Sequence, residues 1–291
     1  MELVTTRGAW RSLLESQRRA GRVVGLVPTM GALHGGHLSL LDAAAARTGF
    51  VAMTLFVNPL QFGEAEDLAH YPRDLDADLG LAARHGAAAV FAPDVEEMYG
   101  GGIPATRVVP GPLASVLEGA SRPGHFEGVA TVVTKLFSLA GPSTAFFGEK
   151  DYQQLVIVRQ IAADLDLPVE VVGCPIVREP DGLAMSSRNR RLAGPERAAA
   201  SALHRSLLAG REVLERGGDP AAAEAAMRSL LSSEPLVKPD YAAVVDAASL
   251  GEPVDGGAVR LLVAATVGPV RLIDNMAAGP APAGAAGAGI S

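Results

Sequence analysis

Between residues 23 and 173, short runs of consecutive apolar residues alternate with stretches whose apolar positions recur every three or four places. Val23, Val24, Leu26 and Val27 make the first run, and Leu38, Leu40 and Leu41 with the alanines at 43 to 46 predict the helix after it. Residues 50–57 predict a second buried strand, 74–85 a helix, and 88–91 a third strand closed by Pro93. A loop-rich stretch from 94 to 124 follows, after which helix 126–139, strand 144–147, helix 151–165 and strand 169–173 resume the order. Strands alternating with helices predict an α/β fold, here a Rossmann-like doubly wound parallel sheet with right-handed crossovers. Ligands bind such sheets at the carboxyl ends of strands, where the strand order reverses.

The pattern changes at Pro180-Asp181-Gly182, a turn signal that reads as a hinge. Helices over 195–217 and 220–232 precede apolar segments at 241–246, 260–265 and 269–274, which predict a small antiparallel sheet and hence a C-terminal α+β cap. The expected organisation is a nucleotide-binding domain over 1–177, the cap over 178–276, and a disordered tail of Ala, Gly and Pro over 277–291.

A formal charge of −7 and a pI near 5.4 disfavour a nucleic-acid surface, which needs clustered Lys and Arg. The single cysteine, Cys174, cannot form an internal disulfide, the start has no charged-then-apolar leader pattern, and no apolar run reaches the length of a membrane span. The expectation is a cytoplasmic protein without membrane association.

Candidate chemistry concentrates where strands run into helices. Residues 28–37, Pro-Thr-Met-Gly-Ala-Leu-His-Gly-Gly-His, join the first strand to its helix through a turn with two histidines. Glycines there let a ligand approach the backbone, and a helix start offers N–H groups and a positive dipole end to phosphates. Zinc would need further ligands, and no Cys or acidic residue stands at matching spacing. Gly148-Glu149-Lys150-Asp151 repeats the strand–turn–helix setting, so that Lys150 can face the same cleft as His34, or be an exposed lysine beside an ordinary Asp151 cap. Gln153 and Gln154 follow on the first helical turn, where one amide can bind a small substrate. Beyond the turn at 180–182, Met185-Ser186-Ser187-Arg188-Asn189 offers hydroxyls and a guanidinium to a triphosphate. No GxxxxGK[ST] sequence occurs, so a bound ATP is not held in a P-loop.

These residues resemble a known family. His34-Gly35-Gly36-His37 looks like the HIGH signature of the nucleotidylyl-transfer superfamily, and Met185-Ser186-Ser187-Arg188 looks like a relative of its KMSKS loop. More narrowly, PTMGALHGGH, FVNPLQF, YPR, SRPGHF, FGEKDYQQ and MSSRN together resemble the pantothenate synthetases over residues 23–275. The resemblance implies ATP-dependent condensation of pantoate with β-alanine through a pantoyl-adenylate, releasing AMP and pyrophosphate. It implies ATP as substrate with Mg²⁺, no organic prosthetic group, and a homodimer.

The resemblance also assigns roles. Met30, Gly31, Ala32, Leu33, His34, Gly35, Gly36 and His37 wrap ATP, with His34 and His37 stabilising the transferring phosphoryl group and His37 as proton donor. Gly148, Glu149, Lys150 and Asp151 bind ATP, Lys150 on phosphate and Asp151 on ribose. Val177 and Met185 meet adenine largely through backbone, while Ser186, Ser187 and Arg188 close over the phosphates. Gln61 and Gln154 hold pantoate, Gln61 also lying near β-alanine, Asn58 shapes that pocket, and Arg122 is either a ligand or a structural arginine. Ala184 stands where KMSKS has its first lysine, so positive charge must come from Lys150 and Arg188. The Mg²⁺ ligands stay unassigned, Asp76 and Asp78 reading equally well as a solvated helix face. A nucleotidylyltransferase that leaves AMP on a phosphorylated acceptor is the rival reading.

Overall fold

The computed structural model describes residues 1–63, 71 and 73–278. It divides into two compact units, residues 1–177 and 178–291. The first is a six-stranded sheet of β1 (Glu2–Val4), β2 (Val24–Thr29), β3 (Phe50–Leu55), β4 (Ala87–Phe91), β5 (Ser143–Gly148) and β6 (Val169–Cys174), in the order β1-β4-β3-β2-β5-β6. Every pairing is parallel. The chain steps outward from β2 through β3 to β4, which pairs with the edge strand β1, then returns to β5 on the other side of β2. The strand order therefore reverses between β2 and β5, and a crevice opens at their carboxyl ends.

Helices α1 (Arg7–Arg19), α2 (Gly35–Arg47), α3 (Leu75–Arg84), α4 (Val95–Tyr99), α5 (Glu118–Ser121), α6 (His125–Ala140) and α7 (Tyr152–Asp164) connect the strands. The central strands are buried almost without interruption, as a parallel sheet covered on both sides requires. One core packs Val27, Met53, Val90 and Phe146 against Leu33, Leu40 and Leu41 of the first connection. The apolar runs thus become strands where they were expected. β1 and α1 were not anticipated; Trp10 and Leu14 of α1 are wholly buried, and Trp10 stacks on Phe91 at 5.2 Å.

In the second unit, α8 (Gly194–Ala199), α9 (Ala202–Glu215) and α10 (Pro220–Ser233) accompany an antiparallel sheet, β7 (Val237–Asp246), β8 (Val259–Val267) and β9 (Val270–Ala278). The helix expected over 195–217 is two, broken at Ala200 and Ser201. The strand β9 includes Ala277 and Ala278, the latter paired with Val259, so two residues of the expected tail belong to the sheet. The rest of that tail lies outside the described residues, as does Pro72 of the Tyr-Pro-Arg motif.

Pro180-Asp181-Gly182 forms a braced turn inside the second unit, just after the division at 177/178. Arg178 pairs with both carboxylate oxygens of Asp274 at 2.7 and 3.0 Å and donates to the Gly182 carbonyl, while Arg197 pairs with Asp181. Gly182 has φ +90°, and a Cβ there would overlap the His204 ring, so only glycine makes this turn without strain. The turn is tied into the second unit on both flanks.

Candidate active site

The carboxyl end of β2 runs into α2 through a turn that uses its own amides. Gly31 N–H donates to Thr29 Oγ1 at 3.3 Å, and Ala32 and Leu33 N–H donate to the two carboxylate oxygens of Asp78 at 2.9 and 2.8 Å. His34 is the N-cap of α2: its Nδ1 accepts from Gly36 N–H at 3.1 Å, while His34 N–H donates to His37 Nδ1 at 3.3 Å. The expectation that this turn presents backbone N–H groups to phosphate is corrected for these residues, whose donors are consumed within the protein.

What the turn presents instead is imidazole. A neutral ring that accepts at Nδ1 carries its proton on Nε2, so both histidines are held as Nε2–H donors, their rings 4.1 Å apart. Burial pushes His37 down from 6.5 to about 4, with Asp151 opposing and Lys150 assisting. His37 is thus neutral near pH 7 in the ligand-free protein. In this neutral state His37 offers a hydrogen bond from Nε2–H, and the negative charge of a bound triphosphate opposes the burial that lowers its pKa.

The second corner lies across the reversal, after β5. Gly148 leads into a short 3-10 turn, Glu149–Asp151, and then α7. Asp151 makes no side-chain cap for that helix; its carboxylate lies 3.4 Å from Lys150 Nζ. The charges of Lys150 and Asp151 are near enough to bear on His37, in opposite senses.

A third cluster surrounds Gln61, in the 3-10 turn Pro59–Gln61 after β3. Asn58 Nδ2 donates to Gln61 Oε1 at 3.0 Å and to the Gly128 carbonyl at 3.1 Å, and Asn58 Oδ1 accepts from Tyr99 O–H at 2.8 Å and from Leu60 N–H. Asn58 is 1% exposed and its amide is fully engaged, so it positions Gln61 and does not itself reach a ligand. With Oε1 accepting from Asn58, Gln61 has its Nε2–H₂ left as donor among the described residues. His125 Nδ1 donates to the Gln61 carbonyl at 2.8 Å, which leaves its Nε2 to accept from the Arg122 guanidinium at 3.3 Å. Burial first, and then Arg122, pushes His125 down to about 4, while Asp151 opposes, so this cluster adjoins the second corner.

Sequence reasoning quoted His125 without giving it a role and read Asp78 as a solvated face or a Mg²⁺ ligand. Asp78 is 3% exposed and bonded to the turn, whereas Asp76 is exposed, so the two do not act together. Gln153 is also committed: its Oε1 accepts from Glu118 N–H at 3.0 Å and its Nε2 donates to the Leu113 and Val116 carbonyls at 2.7 and 2.8 Å. Gln154, half-buried beside it, makes no side-chain hydrogen bond among the described residues. Among the described residues no group of three or more His, Cys, Asp or Glu could hold a metal ion.

Within the second unit, Met185, Ser186, Ser187 and Arg188 are half-buried. Ser186 caps a 3-10 turn by accepting from Arg188 N–H at 3.3 Å, and Asn189 Nδ2 donates to the Ala184 carbonyl at 3.1 Å.

A family model described as pantoate-beta-alanine ligase matches residues 2–277. The chain is 51% identical over 280 residues to a pantothenate synthetase of Roseiflexus castenholzii, covering 94% of this chain and 98% of that protein. It is 54% identical over 278 residues to one of Rubrobacter xylanophilus, covering 92% and 95%. A crystal structure of pantothenate synthetase from Thermus thermophilus is similar with a TM-score of 0.89 at 49% identity, covering 96% of this chain and 100% of that one. A crystal structure of pantoate-beta-alanine ligase from Francisella tularensis, complexed with β-γ ATP and β-alanine, is similar with a TM-score of 0.77 at 31% identity, covering 95% and 97%.

Proposed function

The chain belongs to the pantoate-beta-alanine ligase family, and from that premise we propose how its residues perform the reaction. The enzyme joins pantoate to β-alanine in an ATP-dependent reaction that forms pantothenate. The reaction runs in two steps. A pantoate carboxylate oxygen attacks the α-phosphorus of ATP and pyrophosphate leaves; the β-alanine amine then attacks the acyl carbon, loses a proton, and AMP leaves.

Charge accumulates on phosphate in the first step, and oriented donors there are worth most. His34 and His37 supply Nε2–H, and Lys150 supplies a full positive charge. Asp151 meets the ribose, and residues 30–37 and 148–151 line the nucleotide. Val177 meets adenine; within the second unit, Met185 offers an apolar side chain, and Ser186, Ser187 and Arg188 offer two hydroxyls and a guanidinium of the kind a nucleotide takes. Gln61 donates Nε2–H to pantoate and Gln154 completes its site, so the acyl carbon is held for the amine by positioning. Arg122 acts through His125 and Gln61. Mg²⁺ bound with the triphosphate would offset its charge; Asp78, whose two oxygens already accept from Ala32 and Leu33 N–H, does not fit as its ligand. The acting form is a cytoplasmic homodimer.

The observation that supports this reading is that the turns after β2 and β5 flank the reversal of strand order, with the charges of Lys150 and Asp151 near enough to bear on His37 and that of Asp151 on His125 beside Gln61. Pantoate labelled with ¹⁸O in its carboxylate tests it. One label should pass to AMP during complete turnover, because the adenylate bridges through that oxygen. Unlabelled AMP would exclude the adenylate.

A further inference from the structure

We propose that Asp78 is a positioning residue for the nucleotide, a buried carboxylate clamp that sets the two-histidine turn from a helix 45 residues away in sequence. The inference rests on the reading of that turn as the ATP site and goes beyond it, because Asp78 touches neither ATP nor the reacting atoms.

Two consecutive residues of the turn have left-handed backbone, Gly31 with φ +86° and Ala32 with φ +52°. Glycine adopts this at no steric penalty, but an L-alanine there is strained and persists only when surrounding contacts hold it. Asp78 provides those contacts. Its two oxygens take the Ala32 and Leu33 N–H groups in short, charge-assisted bonds. Gly31 is what admits the carboxylate, since a Cβ at Gly31 would come within 2.8 Å of Asp78 Oδ2. Leu33, next in line, is 3% exposed in the core, and His34 follows as the helix cap. The clamp therefore fixes the path of the chain one residue before the first imidazole, and through the reciprocal His34–His37 bonds it fixes the second.

The chemistry of the clamp separates it from ordinary packing. Asp78→Asn is nearly isosteric, yet an amide has one acceptor oxygen, and its NH₂ would oppose the second backbone N–H. One bond is lost and two donors face each other, while volume is preserved.

The test uses the full-length enzyme. For Asp78→Asn we expect kcat/KM for ATP to fall about tenfold or more while KM for β-alanine stays within about twofold. In the free enzyme, ¹⁵N signals of the imidazoles should show Nε2–H tautomers at His34 and His37 in the parent and mixed tautomers in Asp78→Asn. This second readout does not depend on the substrate assignment, so failure of the clamp and failure of the ATP reading are distinguishable. Adding Ala32→Gly to Asp78→Asn should recover part of the loss, because glycine holds the left-handed turn without the clamp; the double variant is also the form to assay if the single one fails to fold. Unchanged kcat/KM for ATP with unchanged tautomers, an equal loss in the ATP and β-alanine parameters, or no recovery in the double variant would each overturn the proposal.

Discussion

The two strand–turn–helix corners that flank the reversal of the sheet look alike in sequence and are built in opposite ways. The corner after β2 is saturated: the N–H groups of Gly31, Ala32, Leu33, His34 and Gly36 all have side-chain acceptors. The corner after β5 has no side-chain cap and instead sets Lys150 beside Asp151. The first corner spends hydrogen bonds to fix where two neutral donors point, and the second presents charge. A phosphoryl transfer needs both, because orientation without charge leaves the triphosphate repelling its nucleophile, and charge without orientation does not hold the in-line geometry.

The contrast can be broken from either side. Lys150→Ala removes charge and should lower turnover by about 10³-fold, with the fold intact, whereas His37→Ala removes one neutral donor and should lower it by about 10²-fold. Both follow from initial rates at saturating substrates. A larger loss in His37→Ala than in Lys150→Ala would reverse the assignment of roles. Gly128→Ala probes the cluster beside these corners. A Cβ at Gly128 would overlap the Leu60 carbonyl and must displace the turn that carries Gln61, so KM for pantoate should rise by about tenfold while KM for ATP changes little. Equal changes in both would show that Gln61 and the nucleotide corner are not separable.

Acid distinguishes the buried histidines from the exposed charges. His37 and His125 titrate at about 4 when folded, below the 6.5 of an ordinary histidine, so between those values the unfolded chain binds more protons than the folded one. Their contribution to stability is complete above about pH 6.5 and is lost as the pH falls toward 4. Denaturant midpoints measured across this window should decline, and more shallowly in His125→Asn than in the parent. An identical slope in the two would contradict the burial argument. The smallest effect is expected from the chain end. Because Ala277 and Ala278 belong to β9, removal of 279–291, which spares them, should leave kcat/KM within about twofold, and a tenfold loss would give those residues a role in the reaction.

The alternation of strands and helices was legible because each central strand is a short apolar run buried on both sides, and Gly148-Glu149-Lys150-Asp151 and residues 28–37 announce strand ends by themselves. Asp78 was not legible. It reads as one more acid in the first turn of α3, after Asp74 and Asp76, and its partners Ala32 and Leu33 lie 46 and 45 positions earlier. His125 likewise gains meaning only from the Gln61 carbonyl, 64 positions earlier. The helix α1 could have been found, since Thr6 accepts from Ala9 N–H as an N-cap and Trp10 and Leu14 stand at helical spacing. Nothing in Ala198 to Ala202 marks the break between α8 and α9, because no glycine or proline makes it.

The central claim is that pantoate is activated on ATP before the amine enters, and pyrophosphate release from enzyme, Mg²⁺, ATP and pantoate without β-alanine tests it most directly. The account predicts a burst near one pyrophosphate per active site, followed by continued turnover to AMP and pantothenate once β-alanine is added. No pyrophosphate until β-alanine is present would contradict it.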